Sequence, residues 1–200
     1  MSAIRLRGAT SGTTDVVAAA IAGDGVLSLP TGTGTLATTA FVNTAVAAGG
    51  KVLQVVSVTK VDTFSTSSTS YVDITGLSVS ITPSSATSQV YVSATVTGNG
   101  NPPSSGMFLQ LVRGSTAIAI PTSPGSRSAG FAVLYTVDAA LNQTTGTLFM
   151  DSPATTSATT YKIQGRVNAS TGFINRGSTD TDNSGYIRSV SSITVMEISA

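Results

Sequence analysis

In three stretches of this chain, apolar and polar side chains change places at every residue. That period of two constrains the fold more than any other feature. Leu77, Val79 and Ile81 alternate with Ser78, Ser80 and Thr82, and Val90, Val92, Ala94 and Val96 alternate with Gln89, Tyr91, Ser93 and Thr95. Tyr161, Ile163 and Val167 alternate with Lys162, Gln164, Arg166 and Asn168. Successive side chains of a strand point to opposite faces, so each run predicts a strand with one buried face. Further strand-like runs are Lys51–Lys60, Met107–Arg113, Thr116–Ile120, Gly130–Asp138, Thr147–Asp151, Tyr186–Val190 and Ile193–Ser199. Turn residues separate them at Pro83-Ser84-Ser85, Gly98 to Pro103, Pro121 to Gly125 and Asn183-Ser184-Gly185. Short strands at regular spacing predict that residues 51–200 form an antiparallel β-sandwich, jelly-roll-like, in a protein that is mainly β.

The first fifty residues follow other patterns. Residues 1–35 are short apolar stretches broken by Gly, Ser and Thr, among them Ile4 to Gly8, Asp15 to Ala22 and Val26 to Pro30. They carry too little apolar mass for a core of their own. The expectation is an extended attachment segment, ordered by pairing with other copies or with a docking partner. Residues 36–50 predict a short helix, with Thr38 or Thr39 as N-cap and Gly49 or Gly50 as terminator. Val42, Ala45, Val46 and Gly49 form one stripe along it. So short a helix is marginal alone in water, which favours bundling with its own copies at a trimer junction. The plainer alternative is a linker helix lying against the next domain.

Composition removes much chemistry. The chain has no His, Cys or Trp, so thiol nucleophiles, zinc–thiolate sites and the Ser-His-Asp triad are absent. Its nine carboxylates and ten Lys and Arg leave a net charge of +1. The basic residues are scattered, which argues against a nucleic-acid surface. Low charge with abundant Ser, Thr and Gly is compatible with disorder, but hydrophobic residues reach 40% in short bounded runs. The opening Met1 to Arg7 lacks the apolar stretch of a signal peptide. The run Val16 to Leu29, cut by Gly23-Asp24-Gly25, is too short to span a bilayer. The expectation is no enzyme, no cofactor, no metal and no membrane insertion.

Few residues propose themselves as sites. Asp180, Asp182 and Ser184 have the alternate spacing that opens a calcium loop, but the twelfth position is Ser191 rather than Glu. Asp and Asn also favour turns by bonding their own backbone, and a hairpin turn is the reading adopted. Thr31-Gly32-Thr33-Gly34-Thr35 resembles a phosphate loop without its Lys and is taken as punctuation. Asp62 with Asp73, or Asp138 with Asp151, are the carboxylate pairs available for acid–base work, with surface solvation as the default. Tyr91 and Tyr186 are expected on polar surfaces. Phe173, Arg176, Asp180, Asp182, Tyr186 and Arg188 lie in one Gly- and Ser-rich span and are the candidate receptor contacts. Aromatic faces beside charged groups suit sugars and other surface ligands.

Several phrases resemble structural appendage proteins of tailed bacteriophages. These are Arg7-Gly8-Ala9-Thr10-Ser11-Gly12, then Gly25-Val26-Leu27-Ser28-Leu29-Pro30-Thr31-Gly32-Thr33-Gly34-Thr35-Leu36-Ala37-Thr38, continued by Ala40-Phe41-Val42. Tyr71 to Leu77, Ser78 to Pro83, Gly185 to Arg188 and Ile193 to Ile198 are similar to a phage tip domain. The resemblance implies a homotrimer with an N-terminal attachment part and a C-terminal β-domain, and it brings no catalytic residues. A virion protein, assembled in the host cytoplasm and released by lysis, also reconciles an extracellular composition with the lack of an export signal. The expectation is therefore a trimeric tail fibre or appendage located in the virion. Residues 1–50 would bind other virion proteins, and the head would contact a host glycan or protein or bridge particle parts. The alternatives are a capsid decoration or head-fibre protein and a carbohydrate-binding β-module.

Overall fold

The computed structural model describes residues 3–7, 13–17, 51–101, 105–122 and 125–200. Among them the chain forms strands and no helix. In order these are β1 (Ala3–Arg7), β2 (Thr13–Val17), β3 (Val52–Lys60), β4 (Phe64–Thr66), β5 (Val72–Ile81), β6 (Gln89–Asn99), β7 (Met107–Arg113), β8 (Thr116–Ile118), β9 (Ala132–Leu134), β10 (Gln143–Asp151), β11 (Thr159–Val167), β12 (Gly172–Ile174) and β13 (Ser191–Ile198). The chain divides into two compact units, residues 1–46 and 47–200. In the first, β1 and β2 pair antiparallel from Ala3–Val17 to Arg7–Thr13. The expected helix at 36–50 lies outside the described residues.

The second unit holds two antiparallel sheets. One runs β3-β13-β6, with β10 on the far edge of β6 and with β12 and β4 extending the inner strands. The other runs β5-β11-β7-β8, with β9 also on β7. The long strands β3, β5, β6, β7, β10, β11 and β13 alternate between the two sheets as the chain advances. Each sheet is thus assembled from strands distant in sequence. The inward positions from both sheets make one core, including Leu77, Val79, Val92, Val96, Leu109, Leu111, Tyr161, Ile163, Ile193 and Val195. The alternating positions read from the sequence in β5, β6 and β11 are the buried ones, because only that phase removes the apolar face from water.

Local chemistry explains where the expected strands shift. Gly76 adopts φ +85° and sits at a register shift between β5 and β11, so Ile74 and Leu77 both face the core although three residues apart. Gly98 and Asn99 continue β6 instead of starting a turn. A Cβ on Gly98 would lie 2.2 Å from the Phe173 carbonyl oxygen, so only glycine lets β12 pair there. β10 begins at Gln143, four residues before the expected start, because its whole length finds partners on β6. The expected strand Tyr186–Val190 is a loop. Neither parity of that run is uniformly apolar, Ile187 and Val190 are exposed, and its one ladder contact is an isolated bridge from Arg188 to Arg176.

Candidate functional site

The span between β12 and β13 is rooted by one buried residue. Asn175 takes the left-handed conformation at φ 63°, which Asn tolerates better than other side chains. Its Nδ2 donates to the carbonyls of Lys60 (2.9 Å) and Asp62 (2.8 Å), and its Oδ1 accepts the Ser191 hydroxyl (2.7 Å). Its backbone N–H donates to Thr97 and its carbonyl accepts the Ser189 N–H. All its polar groups are thereby satisfied. A second buried amide, Asn99, holds the neighbouring loop by donating to the carbonyls of Asp138 (3.0 Å) and Leu141 (2.6 Å). The two loops are tied together where Thr179 N–H donates to Ala139 (3.1 Å) and Asn142 Nδ2 to the Ser189 hydroxyl (3.2 Å).

On this base the charged residues converge. Arg188 donates through Nε and Nη2 to the two oxygens of Asp180, at 2.9 and 2.7 Å. Arg176 Nη1 lies 3.3 Å from the same carboxylate. The Arg176 guanidinium also sits 4.2 Å from the centre of the Phe173 ring, a cation–π contact. The Arg188 hydrogen bonds hold the Asp180 carboxyl below its usual range. Asn183 forms the turn beyond, with its Oδ1 accepting the Gly185 N–H (2.9 Å) and its carbonyl the Tyr186 N–H (3.0 Å). A concavity of about 300 Å³ opens here, lined among others by Asp180, Asp182, Tyr186, Ile187 and Arg188.

Five of the six candidate contacts therefore share a surface, and Phe173 supports it from below as part of β12. The ring is 9% exposed and its face is covered by Arg176, so it offers no stacking platform of its own. Two Arg and two Asp make the span neutral. Arg188 keeps 66% of its side-chain surface, and its Nη1 has no partner among the described residues. The arrangement can present a guanidinium edge, a carboxylate at Asp182 and a partly exposed Tyr186 ring to a polar ligand. In place of calcium ligation, both Asp180 oxygens accept from guanidinium groups.

The remaining sequence candidates disperse. Asp62 pairs with Lys60 at 2.8 Å, and Asp73 accepts from Lys162 (2.8 Å) and Gln164 (2.6 Å). Asp138 accepts the Ala140 N–H (2.7 Å). Buried Asp151 accepts from Arg113 at 2.7 and 2.8 Å and from the Tyr161 hydroxyl at 2.6 Å. Burial and the neighbouring Asp151 push the Tyr161 phenol upward. Asp62, Asp73 and Asp151 thus sit in structural ion pairs, and Asp138 caps its own turn. Tyr91 is half-buried on the outer face of β6. Thr31–Thr35 lies outside the described residues.

One cluster was invisible beforehand. The Arg166 guanidinium lies 4.9 Å from the Phe108 ring centre and 5.5 Å from that of Tyr71, with a hydrogen bond to the Ser128 hydroxyl. Alternation placed Arg166 outward, but nothing local brings Tyr71 and Phe108 beside it. No protein-family model matches the chain, and no curated protein shows significant similarity to it.

Proposed function

We propose that this chain is a non-enzymatic virion protein, a trimeric tail fibre or appendage of a tailed bacteriophage. In this reading residues 1–50 attach to other virion proteins, through a helix at 36–50 that bundles with its copies. Residues 51–200 are the head, a jelly-roll-like sandwich that meets the host surface or bridges particle parts. The observation that carries the reading is the division into a small N-terminal unit and a separate two-sheet unit. It matches the attachment-plus-head organisation that the phage-like phrases imply. The dispersed, individually paired carboxylates favour the same reading over a hydrolase, which needs two carboxylates in one cleft. The concavity at Asp182, Tyr186 and Arg188 is the receptor-contact region, because binding residues concentrate on loops held by a rigid scaffold.

The test is to locate the protein on intact particles by electron microscopy with a label against residues 51–200. Label on tail or appendage is expected. Label on the capsid shell alone would make it a decoration protein, and its absence from particles would remove the virion role. Replacing Arg176, Asp182 and Tyr186 together by Ala is expected to leave the protein folded and abolish adsorption. Unchanged adsorption by the folded variant would move recognition elsewhere.

A further inference from the structure

We infer that the outer face of the sheet formed by β3, β13, β6 and β10 is the surface on which a second copy of this chain docks. The inference rests on the proposed self-assembly and names where it occurs. Four strands of an exposed sheet are normally solvated by charged side chains, yet on this face every outward side chain is uncharged. The charges on these strands, Lys60, Glu197 and Asp151, all point inward. The outer face of the opposite sheet differs, since Asp73, Lys162 and Arg166 lie on it.

What fills the uncharged face is apolar at one end and hydroxylated beyond. Val55, Met196, Tyr91 and Met150 are register partners in one row across all four strands. Val55 is 55% exposed and Met150 45%, with Leu148 beside them at 67%. In the next row the Ser57 and Thr194 hydroxyls bond each other at 2.7 Å. That bond satisfies one of their two donors, which lowers the cost of taking the pair out of water. A contiguous apolar patch rimmed by such groups marks a protein contact.

The occupant follows from the charge and the area. A partner selected by charge complementarity finds nothing to pair with here, whereas two copies of a neutral face meet without like-charge repulsion. Four strands about 4.8 Å apart and about eight residues long present a face of roughly 500 Å². Three such faces turned toward a common threefold axis remove roughly 1,500 Å² from water, within the range of specific contacts. The face is therefore sufficient to orient copies, with the helix bundling proposed above adding to it.

The test uses the full chain. Val55→Lys with Leu148→Lys places charge at two exposed positions of the face, and Ser78→Lys with Ser80→Lys does the same on the opposite sheet. Sedimentation across a concentration series is expected to show wild type and the Ser78/Ser80 variant assembled alike. The Val55/Leu148 variant should need at least tenfold higher concentration to assemble, with an unchanged circular dichroism spectrum. In parallel, peroxide oxidation of Met150 in wild type should slow as rising concentration drives assembly. If the Val55/Leu148 variant fails to fold, this oxidation series decides alone. Wild type that assembles with no protection of Met150, or a folded Val55/Leu148 variant that assembles like wild type, overturns the surface but leaves the proposed function standing. A monomeric wild type overturns both. Met150 and Met196 protected in that monomer would mean the chain covers its own face.

Discussion

Glu197 illustrates how a side chain in the core phase of a strand can be charged without destabilising the fold. It is 1% exposed, and burial alone would raise its pKa. Instead Ser84 donates through N–H (2.7 Å) and hydroxyl (2.6 Å) to Oε1, and Gln54 Nε2 donates to Oε2 (2.7 Å). These bonds outweigh burial and bring the pKa down to about 2 from 4.5. A folded pKa below the unfolded one means stabilisation present above the unfolded value and lost as pH falls through the folded one. Stability should therefore decline as pH drops from about 5 toward 2, by on the order of 3 kcal/mol from this group. Glu197→Gln should cost about 2 kcal/mol at pH 7, because a neutral amide cannot accept all three donors, and should flatten that acid limb. Urea titrations at pH 7 and pH 3 check both, and an acid limb of unchanged depth in the variant would assign the loss to other carboxylates. The run Ile193–Ser199 predicted a strand here, and the inward place of this carboxylate emerged only with the sheet. Its partners were not legible, because they arrive from 113 and 143 residues away.

The span from Asn175 to Ser191 shows the same division between what local sequence reveals and what only the fold supplies. The charges and aromatics that cluster between Phe173 and Arg188 stood out in a chain with so few of either. The expected strand at Tyr186–Val190 failed because neither of its faces is apolar, so pairing it with a sheet edge would bury nothing that gains from burial. Asn175, the residue that roots the loop, carried no signal beyond being an Asn, since its partners come from β3, β6 and the start of β13. Asn175→Ala should cost about 3 kcal/mol, from lost hydrogen bonds and the strain of φ 63° in a residue with Cβ. Asn175→Gly should cost less, since only the hydrogen bonds are lost. Thermal melts of the two variants separate the contributions, and equal losses would remove the strain argument. Asp180→Asn, by contrast, should leave global stability little changed, because the pair it breaks lies at the surface. Its effect should appear as faster amide hydrogen exchange confined to residues 176–188. Exchange unchanged there would mean the ion pairs do not order the loop.

The proposed contact between copies through the uncharged outer face is one that apolar burial, not charge, would govern. The antiparallel two-sheet architecture was legible because period two and regular turns are local signals. The order β3-β13-β6-β10 was not, because it depends on pairings between strands far apart in sequence. That order brings Val55, Met196, Tyr91 and Met150 into one row, so the face exists only once the sheet is built. Its physics makes a prediction about salt. Contacts between opposite charges weaken as ionic strength shortens the screening length from about 30 Å at 0.01 M to about 3 Å at 1 M. Contacts between apolar surfaces do not weaken in this way, and excluded salts such as sulfate strengthen them. The concentration at which full-length copies dissociate should therefore stay within about threefold between low salt and 1 M sodium chloride, and should fall in ammonium sulfate. Sedimentation in the three buffers measures it. A tenfold or greater loss of assembly in 1 M sodium chloride would show that ion pairs hold the copies together, and the contact would have to lie on a charged surface such as the one bearing Asp73, Lys162 and Arg166.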